Sequence, residues 1–316
     1  MSDLPRRVEI HEEGPREGFQ IEPGPIASAD KVRLIEALAE TGLKRIDCVS
    51  FVDPKRVPGQ ADAAEVAAAI RKRPGVRYTG LWLNTRGFER ARQTQLDLSG
   101  RALISASDLF SLKNSGKDNA ASLAEQRGWL KSYRELGMAV EWATVMTAFG
   151  CNFEGRIAPA KTVERIGQLL ALVAEEGFAL KGVLLADTVG FAAPNGIEAT
   201  VGAVRSRWPD LRIGLHLHDT RGTGLANAYA ALRMGIERFD GSCAGLGGCP
   251  FAGHKGAAGN ICTEDLVFMC HELGIETGID LERLIECARL AETIVGHPLP
   301  GKVMKGGSLQ SLRARS

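Results

Sequence analysis

No apolar run in this chain approaches the roughly 20 residues needed to cross a bilayer, which argues against a membrane-spanning role. Neither charge is in excess. The 39 Lys and Arg stand against 38 Asp and Glu, a formal +1, and no basic cluster is interleaved with aromatics, so the sequence offers nothing to nucleic acid. Residues 1–7 carry charge with no apolar stretch behind them and do not read as a secretory leader. Ala314-Arg315-Ser316 is not a peroxisomal address. Seven cysteines, an odd number without a Cys-x-x-Cys pair, argue for reduced thiols in a cytoplasm rather than a disulfide framework. A glycine-rich nucleotide fingerprint is missing after the first strand, which disfavours a doubly wound dinucleotide fold.

What remains has the composition of an ordinary soluble enzyme: 316 residues, 44% hydrophobic and 24% charged. That length suits one large α/β barrel or two smaller domains. Strand-like runs are predicted at 8–11, 45–49, 76–81, 102–105, 140–146, 182–186, 213–216 and 239–242. Between them fall amphipathic helical stretches at 31–38, 62–70, 87–95, 120–136, 160–176 and 196–207. Ser28-Ala29-Asp30 offers an N-cap to the first helix, and Gly42 closes it. Eight strands alternating with helices, and no Pro/Ser-rich linker, predict an α/β chain folded as a single (β/α)8 TIM barrel over 1–316, with extra C-terminal helices from about residue 263.

The segment Gly-Leu-His-Leu-His-Asp-Thr carries the sharpest chemical signal. Residues two apart on a strand share a face, so His216 and His218 project together with backbones about 7 Å apart, within reach of one metal ion. In such barrels the chemistry sits at the C-terminal ends of the strands. Applied here, that rule collects Arg16 and Glu17 in a tight Gly-Pro loop after strand one, Asp47 after strand two, Asp187 after strand six and the histidines at strand seven. The Gly245–Pro250 stretch with Cys249 follows strand eight, and a Gly/Ala-rich run leads on to Asn260. Each residue alone has a bland reading, as a surface charge, helix cap, inert thiol or turn residue. Together they place a cation, carboxylates, imidazoles, a thiol and an amide on one rim.

Five stretches carry a resemblance to a known family: GPREGFQIEP, FVDPKRVPGQAD at 51–62, ADTVGFAAP at 186–194, HLHDTRGTGLANAYAALRMG at 216–235, and AGLGGCPFAG…GAAGNICTEDLV at 244–267. Over roughly 8–290 the chain resembles 3-hydroxy-3-methylglutaryl-CoA lyase, one of the metallolyase barrels. The resemblance implies cleavage of a 3-hydroxyacyl-CoA to acetyl-CoA and a ketone. It implies a divalent metal on Glu17, His216, His218 and Asn260, with Mg²⁺ or Mn²⁺ suiting the donors and Zn²⁺ also compatible with them. Arg16 would stabilise the enolate, Cys249 would supply its proton, and Asp47 or Asp187 would take the hydroxyl proton, with Asp47 assigned first. Gln20, Lys113, Asn114 and His254 would meet the acyl-CoA, Lys113 through a phosphate. Family members are commonly homodimers.

Three departures stand out from that pattern. The metal-binding carboxylate, ordinarily Asp, is Glu17, and the ordinary Glu after strand two is Asp47. The two swaps move length and charge from one carboxylate to the other and fit an acyl group other than hydroxymethylglutaryl. His254-Lys255 reads as a two-residue insertion in a glycine-rich segment that would act as a lid. Alternative readings are a lyase for another branched hydroxyacyl-CoA of citramalyl type, or a barrel that binds CoA thioesters without turnover. The reverse condensation is disfavoured by the lack of a long C-terminal regulatory domain.

Overall fold

The computed structural model describes residues 4–247, 259–309 and 313. These residues form two compact units, one built mainly from 6–98, 240–247 and 259–309, the other from 99–239.

In the first unit, β1 (Glu9–Glu12) lies parallel to β2 (Arg45–Ser50), and β2 parallel to β3 (Arg77–Leu81). Ile10, Ile46, Val49 and Tyr78 from these strands are buried with Leu34, Ile35 and Leu38 of α2 (Ser28–Ala39). Register slips between Asp47 and Val49, leaving Cys48 as an extra residue in β2. Such a bulge bends a strand and re-aims its side chains. Asp47 lies inside β2, two residues from its start, and not after it as the sequence suggested.

The larger correction concerns the Gly-Pro segment, which is no tight loop. It is a helix, α1 (Gly14–Ile21), separated from β1 by Glu13 alone. Pro15 suits the first turn because its fixed φ is already helical and its missing N–H would have had no helical acceptor. Gly14 is required there for another reason: a Cβ would lie 2.6 Å from Oε1 of Glu12. The expected cap of α2 is also displaced. Ala27 is the N-cap and Ser28 is inside the helix, its hydroxyl donating to Asp62 at 2.8 Å. The chain continues through α3 (Ala63–Ala69) and α4 (Thr85–Ala91), the latter capped by Asn84, whose side chain accepts from the Gly87 N–H.

In the second unit, β4 (Ala102–Ser105), β5 (Trp142–Met146), β8 (Gly182–Ala186) and β9 (Arg212–His216) run parallel in that order. A short hairpin of β6 (Gly150–Cys151) and β7 (Gly155–Arg156) interrupts the alternation. Ile104, Val145, Val183, Leu185 and Leu215 of the strands are fully buried. So are Leu130, Ile166, Leu169, Val201 and Leu232, from α6 (Asn119–Glu135), α7 (Pro159–Glu175), α8 (Pro194–Arg207) and α9 (Gly224–Arg233). Two helices of this unit, α9 and α5 (Asp108–Ser115), were not foreseen.

The last strand, β10 (Arg238–Gly241), ends in the first unit, where the Glu13 N–H donates to the Gly241 carbonyl at 2.8 Å. Helices α10 (Thr263–Glu272), α11 (Leu281–Val295) and α12 (Val303–Gly306) follow, as the sequence anticipated for residues beyond about 263. No helix among the described residues is long and apolar enough to cross a membrane.

Candidate active site

In the first unit one guanidinium organises three carboxylates. Arg16, on the first turn of α1, donates from Nε to Asp47 Oδ2 at 3.1 Å, from one terminal nitrogen to Glu17 Oε1 at 2.5 Å, and from the other to Glu13 Oε2. Arg16 and Glu17 are each 9% exposed, Glu13 6% and Asp47 3%. Burial alone pulls the guanidinium's pKa down, but the charges of Glu17, Glu13 and Asp47 reverse this and hold it above its ordinary value. A buried arginine tolerates the loss of water because its donors meet carboxylates at this angular spread.

The cluster is braced from both sides. Thr79 donates to Asp47 Oδ1 at 3.0 Å. Gln60 donates to the Arg16 carbonyl at 2.8 Å and accepts from the Ser50 N–H at 3.0 Å, tying α1 to β2. On the far side the Asn260 amide nitrogen donates to Glu17 Oε2. That engagement leaves Oδ1 of Asn260 as the amide's acceptor, and it is buried without a hydrogen-bond partner among the described residues. A buried carbonyl oxygen without a donor is costly unless a cation or donor meets it. Gly247, at φ +93°, packs against Glu17 and Asn260, with no room for a Cβ beyond 3.0–3.2 Å.

In the second unit the imidazoles are held by backbone. His216 ends β9 and pairs in register with Ala186, and its carbonyl accepts from the Asp187 N–H at 2.8 Å. His218 Nδ1 lies 2.8 Å from the Asp187 carbonyl oxygen. A carbonyl only accepts, so Nδ1 carries the hydrogen and the neutral ring keeps its lone pair on Nε2, the tautomer of a metal-ligating histidine. The two rings lie 5.2 Å apart, centroid to centroid. The Asp187 carboxylate accepts from the N–H groups of Phe191 and Ala192, at 2.6 and 3.1 Å. Burial raises its pKa to about 6, with those two N–H groups opposing the rise. Asp219 accepts from the Gly224 N–H at 2.7 Å and fixes the start of α9.

Of the residues anticipated from sequence, Arg16, Glu17, Asp47 and Asn260 form one connected network, and His216, His218 and Asp187 another. Gln20 sits half-buried near the end of α1. Lys113 and Asn114 belong to α5, where the Lys113 ammonium lies 5.4 Å from the Phe153 ring centroid. Cys249, His254 and Lys255 lie outside the described residues. Sequence reasoning missed Glu13, Gln60 and Thr79. For Glu13 a signal existed: Glu13 and Arg16 stand at i, i+3, a spacing that joins side chains once the segment is helical.

Parallel strands alternating with helices, with a histidine pair, an arginine and buried carboxylates at or near the strand ends, make up a (β/α)8 enzyme equipped to hold a divalent cation. Comparison with known proteins makes the assignment specific. The chain matches the HMGL-like family over residues 7–291 and belongs to it. It is 39% identical over 298 residues to hydroxymethylglutaryl-CoA lyase of Bacillus subtilis, covering 94% of this chain and 96% of that protein. The crystal structure of the Bacillus subtilis HMG-CoA lyase superposes with a TM-score of 0.88 at 38% identity, covering 97% of this chain and 99% of the other. An HMG-CoA lyase from Acinetobacter baumannii, solved with coenzyme A and 3-methylmalate, gives 0.86 at 38% identity, covering 98% and 97%. The fold class is therefore the (β/α)8 barrel.

Proposed function

We propose that this protein is a divalent-metal-dependent carbon–carbon lyase that cleaves a 3-hydroxyacyl-CoA thioester, hydroxymethylglutaryl-CoA or a close relative, to acetyl-CoA and a keto product. One observation carries the reading: Asn260 gives its amide N–H to Glu17 while its buried oxygen has no hydrogen-bond partner among the described residues, which suits it to meet a cation. The donors fit a metal. Glu17 and Asn260 supply oxygen, and His216 and His218 supply imidazole, with the His218 hydrogen on Nδ1 leaving Nε2 to ligate. This N₂O₂ set suits Mg²⁺ or Mn²⁺. When bound, the ion lowers the pKa of the substrate's tertiary alcohol.

Asp47 takes the hydroxyl proton. Asp187 accepts from the N–H groups of Phe191 and Ala192 and orients His218 through its carbonyl, and its carboxylate is the second candidate for that proton. As the C2–C3 bond breaks, its electron pair moves onto the thioester as an enolate and the alcohol carbon becomes the ketone. Arg16, fixed by its carboxylates, stabilises the enolate oxygen. Cys249 donates the proton that converts the enolate into acetyl-CoA, and its thiolate is reprotonated from solvent. Gln20, Lys113, Asn114 and His254 contact the acyl-CoA, with Lys113 on a phosphate. The whole chain acts as one catalytic unit, with the helices from about residue 263 as an extension. A cytoplasmic location agrees with the buried free cysteines at 48, 151, 243, 262, 270 and 287, and a homodimer is the assembly this reading carries.

The test is acetyl-CoA release from a panel of 3-hydroxyacyl-CoA thioesters with Mg²⁺, Mn²⁺ or chelator. Metal-dependent cleavage, abolished in Cys249→Ala, is expected. Metal binding with no turnover of any thioester would leave a CoA-thioester-binding barrel instead.

A further inference from the structure

The connections that follow β8 and β9 are joined by an exposed arginine that the chemistry above does not use. Arg221 lies three residues past His218, in a turn that the Gly222 N–H closes on the Asp219 carbonyl at 2.9 Å. From there it reaches back over the loop after β8. One terminal nitrogen, Nη1, donates to the Val189 carbonyl at 3.1 Å and to the Gly190 carbonyl at 2.8 Å. The guanidinium carbon lies 5.6 Å from the centroid of the Phe191 ring. Gly190, at φ +65°, permits this close packing of the two loops, since a Cβ there would lie 2.6 Å from Thr220 Oγ1. Residues 187–190 thus hold His218 by their first carbonyl and Arg221 by their last two.

Two carbonyls use both hydrogens of Nη1. The Nε–H and the Nη2–H beside it form a separate edge, which makes no hydrogen bond or ion pair among the described residues. Two parallel N–H groups at that edge match the two oxygens of a carboxylate. The carbonyls and the aromatic face already fix the guanidinium, so little rotamer freedom remains to be lost on binding. Its position is close to the histidine pair. At Asp187 burial raises the carboxyl, and the charges of His216 and Arg221 both act against the rise. A glutaryl-type acyl group carries its carboxylate two bonds from the alcohol carbon, whereas the phosphates of CoA lie a whole pantetheine arm away. Resting on the lyase reading above, we infer that Arg221 is a specificity-determining residue whose Nε/Nη2 edge receives the terminal carboxylate of a 3-hydroxyacyl-CoA.

Two thioesters of one size separate this role from its rivals: hydroxymethylglutaryl-CoA, and its neutral analogue in which a carboxamide replaces the terminal carboxylate. The wild-type protein is expected to have the higher kcat/KM on the carboxylate. Arg221→Gln should lower that preference at least about tenfold, chiefly through KM. Arg221→Lys, which keeps the charge and loses the fork, should recover part of it. Both thioesters are read on one preparation, so a loss of folded protein cancels in the ratio. An unmoved ratio in Arg221→Gln, even with both activities lowered, would reduce Arg221 to a strap between two loops and overturn the inference. So would a wild type indifferent to the carboxylate. A Kd for free CoA weakened about tenfold in Arg221→Gln would place the guanidinium on a phosphate and overturn it as well. If the wild type cleaves neither thioester with any metal, the lyase reading fails on its own. The Kd ratio for the two thioesters, read by calorimetry in wild type and Arg221→Gln, then decides for Arg221: a shift of about tenfold supports it and an unchanged ratio rejects it.

Discussion

The arginine cluster and the histidine pair solve the same problem, holding charged or ligating groups in a buried place, by opposite means. Around Arg16 side chains hold side chains: Glu13, Glu17, Asp47, Thr79 and Asn260 come from four separate stretches of sequence and restrain one another. At His216 and His218 the main chain does the holding, through the register of β9 on β8 and the Asp187 carbonyl. A network of mutual restraints fails as a whole, whereas a pair fixed by strand register loses its members one at a time.

The sharpest break of that contrast pairs Arg16→Gln with His218→Ala. Removing the guanidinium strands three buried carboxylates, so Arg16→Gln should lower kcat about 10³-fold and cost on the order of 3 kcal/mol of stability, seen as a lowered Tm. His218→Ala should weaken metal binding by about 100-fold in calorimetry while moving Tm by far less. Equal thermal losses in the two variants would erase the distinction.

A finer test stays inside the cluster. Glu17 and Asp47 share Arg16, so Glu17→Asp and Asp47→Glu should not act independently. The double variant should recover activity relative to the sum of the single effects, with a coupling of about 1 kcal/mol. Additive effects on kcat/KM would show that each carboxylate is positioned by something other than the shared guanidinium.

The smallest expected effect concerns pH and lies behind the cluster, at Glu12 and Glu264. Burial raises the Glu12 carboxyl to about 7, against hydrogen bonds from Thr263, Cys243 and Gly14. It raises Glu264 to about 8, against the Ala244 N–H. Both folded values exceed the ordinary 4.5, so the native state binds more protons than the unfolded chain between these limits. Their stabilising contribution is complete below about pH 4.5 and is lost as pH rises through about 7 to 8. Tm should therefore decline by a few degrees from pH 5.5 to pH 8.5, and Glu264→Gln should flatten the slope. A slope identical in the variant would remove Glu264 from the account.

The same contrast governs how much was legible in the sequence. The histidine pair could be read from seven consecutive residues, although only His216 belongs to β9 and His218 lies two residues past its end, held by the Asp187 carbonyl. The strands at 102–105 and 182–186 were likewise bounded by their own apolar runs. The arginine cluster is non-local: the strand-end rule gathered Arg16, Glu17, Asp47 and Asn260 on one rim, but not the contacts among them, nor Glu13 and Thr79. Gly14-Pro15 was ambiguous because the same dipeptide opens a turn or a helix, and the close approach of Glu12 that settles the choice is a tertiary contact. Helix α5, which was not foreseen, is capped by Ser107 and ends at Gly116 in the left-handed region, but its eight residues have little apolar periodicity. The fold class was legible from alternation alone, and the likeness to solved lyases over nearly the whole chain agrees with it.

The single residue between β1 and α1 has a consequence for how this scaffold can change. Barrel enzymes commonly diversify by lengthening the connections that follow their strands. Here one added residue would turn α1 by about 100° relative to its strand, sweeping Arg16 and Glu17 away from Asp47 and Asn260 together. This connection is closed to insertion, and new specificity must enter at that corner by substitution of the side chains already there.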